Sequence, residues 1–231
     1  MNDDTIFLPR LSPVERLYIY TRFSGGALSS DGGVLLLREI ERGLKFSGML
    51  ASCLHDARNP RRTTHTQTLM IRESTFAIAC GHEDCDDFDA LHHDPAFKIA
   101  CERLPDSGPA LASQPTLSRL ENTPFWRDLA RMGLKLIDLF CDSFRATPGD
   151  IVFDIDDTSD RAHSGQKLSL FSSRAQGYCF QPIHFYEAAT GTPVCFLLRP
   201  GQRPSGAEEA MVLRHIIRRI PDGFISAESV P

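Results

Sequence analysis

Several things are missing from this sequence, and each absence closes off a class of protein. Its seven cysteines (Cys53, Cys80, Cys85, Cys101, Cys141, Cys179, Cys195) contain no Cys-x-x-Cys pair. An odd, unpaired set of this kind reads as reduced thiols and not as a disulfide framework. The opening Met1-Asn2-Asp3-Asp4 has no basic n-region, so a secretory leader is not expected. No apolar run approaches the ~18 residues of a membrane span. Positive charge is not in excess either: 25 Lys and Arg against 30 Asp and Glu give a net charge of −5 and a pI near 5.9. That excludes a wholly basic nucleic-acid binder while leaving room for local basic patches. A soluble, cytoplasmic protein with no membrane partner is expected. What remains is 231 residues at 42% hydrophobic, enough to bury the core of one or two domains.

The first two thirds of the chain read as helical. Leu17 to Phe23 predicts a short strand, and Ser24-Gly25-Gly26 and Ser29 to Gly33 are turn chemistry with Asp31 as a helix N-cap. A helix is expected from about Gly33 to Lys45 with Leu36, Leu37, Ile40 and Leu44 inward. Arg58-Asn59-Pro60-Arg61-Arg62 is a basic loop, and a second helix runs from Thr66 to Ala79 until Gly81 stops it. Cys80, His82, Cys85, His92 and His93 flank an acidic stretch and are metal-ligand types. Their spacing matches no zinc pattern, and the stretch reads as solvated acids opening a helix. Leu91 to Cys101 is helical, entered through Asp94-Pro95. Ser113 caps a further helix that exposes Gln114, Thr116, Ser118 and Arg119. Short helices joined by tight turns suit a helix-turn-helix reader of DNA; they also suit an ordinary packed helix with a polar surface. Phe125 to Phe140 is amphipathic, with Phe125, Leu129, Met132, Leu136 and Phe140 as its core stripe.

Thr147-Pro148-Gly149-Asp150 separates residues 1–148 from residues 149–231, and beyond it the hydrophobic period falls from 3.6 to 2. Ile151 to Asp156 is a strand that runs into four acids, Asp154, Asp156, Asp157 and Asp160. Asp154 and Asp156, two apart, share a face. Carboxylates at a strand end suit hard divalent cations and phosphate chemistry. Arg161 to Gly177 reads as a polar loop. Tyr178 to Tyr186 and Pro193 to Leu198 form a hairpin through Ala189-Thr190-Gly191-Thr192, with Pro182 placing the first strand at an edge or bulge. Ser205-Gly206-Ala207-Glu208 is a capping box. It opens a helix to Ile220 with Ala210, Leu213, Ile217 and Ile220 inward and Arg214, Arg218 and Arg219 in the last turns. The predicted class is α+β or α/β: a helical N-terminal region, then three antiparallel strands and a helix.

Asp154-Ile155-Asp156-Asp157-Thr158 admits rival chemistries. It fits the DxDxT string of a haloacid-dehalogenase-like phosphatase, with Asp154 as nucleophile, Asp156 as acid/base and Thr158 as stabiliser. Such an enzyme also needs a later Lys and acidic pair on strands, whereas Lys167 falls in a loop and Glu208-Glu209 open a helix. Simple solvation of a strand end is the third reading, and crowded carboxylates repel one another there.

Six stretches together resemble the DDE-group transposases of bacterial insertion sequences: Leu28 to Glu39, Gly81 to Asp87, Leu91 to Lys98, Ala112 to Asn122, Phe153 to Thr158 and Leu197 to Gly201. Order and spacing agree from about residue 28 to 220, and Ser113-Gln114-Pro115-Thr116-Leu117-Ser118-Arg119 is the most diagnostic piece. The resemblance implies an N-terminal DNA-binding region followed by a ribonuclease-H-like catalytic domain. Its acids hold two Mg²⁺ ions for in-line phosphoryl transfer. The family's first acid maps onto Asp156, with Asp154 as its same-face neighbour. Asp157, a third candidate metal ligand, stands where the family has a small residue. The implied partner is DNA, the terminal inverted repeats of the chain's own element. Contacts are expected from Arg58, Arg61, Arg62, Gln114, Thr116, Ser118 and Arg119, and a second copy or a full-length transposase is the expected protein partner. The family's second Asp belongs about where Ser226-Ala227-Glu228-Ser229 stands here. The expectation is therefore a truncated front half that does not cut DNA alone; a non-catalytic, DNA-binding regulator of transposition is the alternative from another class.

Overall fold

A computed structural model describes residues 5–22, 25–26, 28–145, 148–162, 166, 169–202 and 205–220. The chain divides into two compact units, residues 1–124 and 125–231.

In the first unit a two-stranded ribbon, β1 (Ile6–Phe7) and β2 (Tyr20–Thr21), precedes the helices. These are α1 (Val34–Leu44), α2 (Phe46–Ala51), α3 (Gln67–Ala79), α4 (Phe88–Leu91), α5 (Pro95–Ala100) and α6 (Gln114–Asn122), with 3₁₀ turns at Pro60–Arg62 and Cys85–Asp87. Local chemistry sets the ends. The Thr66 hydroxyl accepts from the Leu69 amide to start α3, and Asp94 accepts from the Phe97 amide ahead of Pro95 to start α5. Gly81 turns the chain away from α3 at φ 92°, a conformation glycine adopts without a Cβ clash. The core gathers Val34, Met70, Phe76, Phe88, Leu91, Phe97 and Leu117.

Helix α1 overturns the expected hydrophobic face. Leu36, Ile40 and Leu44 are exposed, while Arg38 and Glu41 are buried. The reason is electrostatic. The Arg38 guanidinium, 1% exposed, grips both oxygens of Glu102 at 3.0 and 2.8 Å, Glu39 at 2.9 Å, and the carbonyls of Ser12 and Pro13. A charge so fully partnered can be buried, and a planar guanidinium has the donors to do it. Asp31 does not cap α1; its carboxylate meets His82 Nε2 at 3.2 Å.

The second unit opens with α7 (Trp126–Asp142). The strands are β3 (Phe153–Asp157), β4 (Asp160–Arg161), β5 (Leu170–Ser172), β6 (Gly177–Phe180), β7 (Ile183–Glu187) and β8 (Pro193–Leu197), and α8 (Gly206–Arg219) follows. They form two antiparallel sheets, ordered β3-β7-β8 and β4-β6-β5. The observed class is α+β. Helices α7 and α8 cover one face of the first sheet, where Ile137, Phe140, Ile183, Phe185, Cys195, Val212 and Ile216 make the core. Gly133 lets α7 approach β8: a Cβ there would collide with the Phe196 carbonyl oxygen and lie 3.1 Å from Leu197 Cδ2.

That close approach rotates α7 away from the expected stripe. Gly133, Ile137 and Phe140 are buried, whereas Phe125 and Leu129 are exposed. Helix α8 likewise buries Val212, Ile216 and Ile220 and leaves Ile217 out. The span from Arg161 to Gly177, expected as loop, contributes β4 and β5, because β6 offers both its edges for pairing. The strand expected over Tyr178–Tyr186 breaks at Gln181-Pro182 into β6 and β7. β7 is central rather than an edge, with an irregularity between Phe185 and Tyr186. The β7–β8 hairpin itself forms as expected. Among the described residues, no helix is long and apolar enough to cross a membrane.

Candidate functional site

Pairing between β3 and β7 assembles the site. Asp154 lies opposite Tyr186 and Asp156 opposite His184, and His184 in turn lies opposite Phe196 on β8. Side chains alternate along a strand and pair across it, so these five residues share the face that α7 and α8 do not cover. Asp154 and Asp156 are exposed there. The His184 ring stands edge-on to Phe196 at 5.3 Å, Tyr186 meets Phe196 at 5.6 Å, and His184 Nε2 lies 3.4 Å from Thr158 Oγ1. The Asp157 amide donates to Asp156 Oδ1 at 2.8 Å, which fixes one carboxylate oxygen; the other has no hydrogen-bond partner among the described residues.

Asp157 points to the opposite face, in register with buried Ile183. Its carboxylate accepts from Gln181 Nε2. The Gln181 amide donates to the Arg199 carbonyl at 3.0 Å, and Arg199 Nη2 donates to Glu208 Oε2 at 2.8 Å. Glu208 also accepts from the Ser205 amide, completing the expected capping box of α8. The Ser205 amide, then Arg199, hold the Glu208 carboxyl below its usual range. A chain of polar contacts therefore runs from the acidic strand to the start of α8.

The open-face pair supplies hard oxygen donors of the kind Mg²⁺ takes. Asp154 and Asp156 fit as one part of a divalent-cation donor set. Among the described residues no group of three His, Cys, Asp or Glu side chains gathers to make a whole one. The alternative ligand types around the acidic stretch form no such group among the described residues either: His82 Nε2 meets the Asp31 carboxylate, His92 Nδ1 meets the Phe88 carbonyl, and burial, with Glu121 beside it, pushes the Cys85 thiol up to about 12. Lys167 and Ser226 to Ser229 lie outside the described residues.

The basic and polar residues singled out for DNA sit in the first unit. Arg58 is fully engaged, its guanidinium on both oxygens of Asp56 at 2.8 and 2.7 Å and on the His65 carbonyl. That guanidinium pulls the Asp56 carboxyl down to about 2. Arg61 and Arg62 are exposed on the 3₁₀ turn, with no carboxylate partner among the described residues. On α6, Leu117 is buried and Arg119 exposed and unpaired among the described residues, while Gln114 donates to Asp86 at 3.2 Å. Thr116 meets the Ser113 hydroxyl, and the Ser118 carbonyl accepts from Asn122. Residues 101–113 separate α5 from α6, so these two helices do not form the tight turn of a helix-turn-helix.

Sequence reasoning found the carboxylate face but missed His184, Tyr186 and Gln181. The alternation His184-Phe185-Tyr186 was the available signal; without the strand register, nothing tied it to Asp154 and Asp156. No curated protein and no solved structure matches the chain. The sequence profile described as transposase DDE domain, group 1, matches residues 11–228, which takes in both units and the acidic strand, and the chain belongs to that transposase family.

Proposed function

We propose that this protein acts in DNA transposition, with Asp156 as the family's first catalytic carboxylate and Asp154 beside it. The observation that carries the reading is the family match across the acidic strand, together with a register that sets both carboxylates on one uncovered sheet face. The order β8-β7-β3 followed by α8 supports reading the second unit as ribonuclease-H-like. Asp156 and Asp154 would hold a Mg²⁺ ion, which supplies activation of a water or 3′-hydroxyl and neutralisation of a leaving oxygen. Asp157, turned to the other face and bound by Gln181, stands apart from that role. Thr158 and His184 would orient a phosphate brought to the pair.

Arg61, Arg62 and Arg119, exposed and without carboxylate partners among the described residues, are cations open to phosphates, and Gln114, Thr116 and Ser118 are the polar groups beside Arg119 on α6. Arg58, spent on Asp56, would shape its loop more than contact DNA. End binding is the activity proposed for the first unit. An electrophoretic shift against the element's own terminal inverted repeat tests this. Preference over scrambled duplex is expected, with Arg119→Ala weakening it; equal affinity for both duplexes refutes specific end binding. Phosphate release from an aryl phosphate, abolished by Asp154→Asn, would overturn the reading in favour of a phosphatase.

A further inference from the structure

The strands between the acidic strand and the central strand have a surface the site above does not use. Strands β5 and β6 pair with Phe171 opposite Tyr178 and Leu170 opposite Cys179. The inner face of this hairpin is the more covered one, although Leu170 on it is partly exposed. On the inner face, Cys179 is fully buried and the segment Arg199–Gly201 lies against the strands. Gly201 has no space for a side chain, since a Cβ would collide with the Cys179 carbonyl and stand 2.7 Å from that of Leu170. Phe180 also bridges to Pro200. On the outer face, Phe171 and Tyr178 stand 62% and 60% exposed, their rings 5.9 Å apart at 77°. Two large aromatics held outward on a fixed base are a costly feature unless something covers them.

The charge around them indicates what does. In a chain of net charge −5, the sequence from Arg161 to Tyr186 contains no Asp or Glu. Arg174, in the turn of the hairpin, is exposed and has no carboxylate partner among the described residues. Asp160, opposite Phe180, is the acid that borders this face. Exposed aromatic rings with unpaired arginine are the elements of a stacking platform for unpaired bases. We propose that the outer face of this hairpin binds a single-stranded stretch of DNA, a base stacking on Phe171 or Tyr178 and a phosphate meeting Arg174. This rests on the transposition reading and adds to it a nucleic-acid contact in the second unit, separate from the duplex contacts of the first.

Fluorescence anisotropy of the full chain with a labelled oligothymidine tests the proposal, alongside the duplex terminal repeat. Phe171→Ala with Tyr178→Ala is expected to weaken oligothymidine binding by roughly 5- to 150-fold, the range for loss of one stacked base. Phe171→Trp should retain it. Arg174→Ala should reduce the salt dependence by about 0.7 in the log–log slope. Both aromatic side chains are exposed, so the melting temperature should hold, and a circular dichroism melt checks that. Unchanged oligothymidine affinity in the aromatic double variant overturns the proposal. If the duplex shift still responds to Arg119→Ala in that case, the transposition reading stands without it. A change in sedimentation with oligothymidine binding intact assigns the face to a second copy of the chain and also overturns it.

Discussion

Glu73 offers a direct test of how the first unit is built around its buried charges. It lies on α3, fully buried, with one oxygen accepting from the Ala112 amide at 3.1 Å and the other without a partner among the described residues. Burial pushes its carboxyl from 4.5 up to about 7, against the opposing pull of the Ala112 amide and Arg103. The folded protein thus keeps a proton here that the unfolded chain releases above pH 4.5. Stability from this group is fully present below pH 4.5 and is lost as pH rises to about 7. At about 1.4 kcal/mol per unit, the loss reaches about 3 kcal/mol by pH 8 and is under 1 kcal/mol at pH 5. Glu73→Gln keeps an acceptor for Ala112 and carries no charge. It leaves its own amide unpaired, a pH-independent cost of about 1 kcal/mol. Urea unfolding of both proteins at pH 5 and pH 8 reads the effect as a difference of differences. The variant should gain roughly 2–3 kcal/mol on the wild type across that interval, with hydrogen exchange at the Ala112 amide as the local reporter. An unchanged gap between the proteins at the two pH values would refute the reasoning.

Three further outcomes follow from packing and polar contacts. Gly133→Ala should destabilise the second unit by roughly 1–3 kcal/mol, because backbone of β8 must move to admit the methyl group; a thermal melt reads this, and an unshifted midpoint contradicts the α7–β8 contact. Arg38→Met should cost roughly 2–4 kcal/mol in urea unfolding, since Glu39, Glu102 and two carbonyls lose their shared donor, with partial solvent access to the glutamates keeping the figure below that of a fully buried pair. Leaving the curve in place would show that the guanidinium is not what holds Ser12 and Pro13. Ser205→Ala should remove about 1 kcal/mol with the cap of α8, and urea unfolding that registers no loss would set the capping box aside.

Much of the local structure was legible because local chemistry determined it. Asp94-Pro95, Thr66, Gly81, the β7–β8 hairpin and the Ser205–Glu208 box all act within a few residues of themselves. The same-face placement of Asp154 and Asp156 follows from the period of a strand alone. What failed was the assignment of helix faces. In α1 the leucine pattern is strong, yet Arg38 turns inward because Glu102 awaits it, a partner 64 residues away that no periodic pattern registers. In α7 a glycine, absent from any hydrophobic count, decides which side meets the sheet. The sheet around β6 went unread because strands of two or three residues owe their existence to the neighbour they pair with. His184 belongs to the same class of omission: its relation to Asp156 exists only across the strand register.

The polar chain from Asp157 through Gln181 and Arg199 to Glu208 also bears on how this protein can be engineered. It ties the acidic strand, the base of the aromatic hairpin and the first turn of α8 into a single mechanical part. A reporter or linker inserted at Gly191, in the turn of the β7–β8 hairpin, would leave that part whole. The same insertion between Arg199 and Gln202 would part Arg199 from Glu208 and lift Pro200 and Gly201 off the hairpin, uncoupling the start of α8 from the acidic strand while the Asp157–Gln181 contact stays in place.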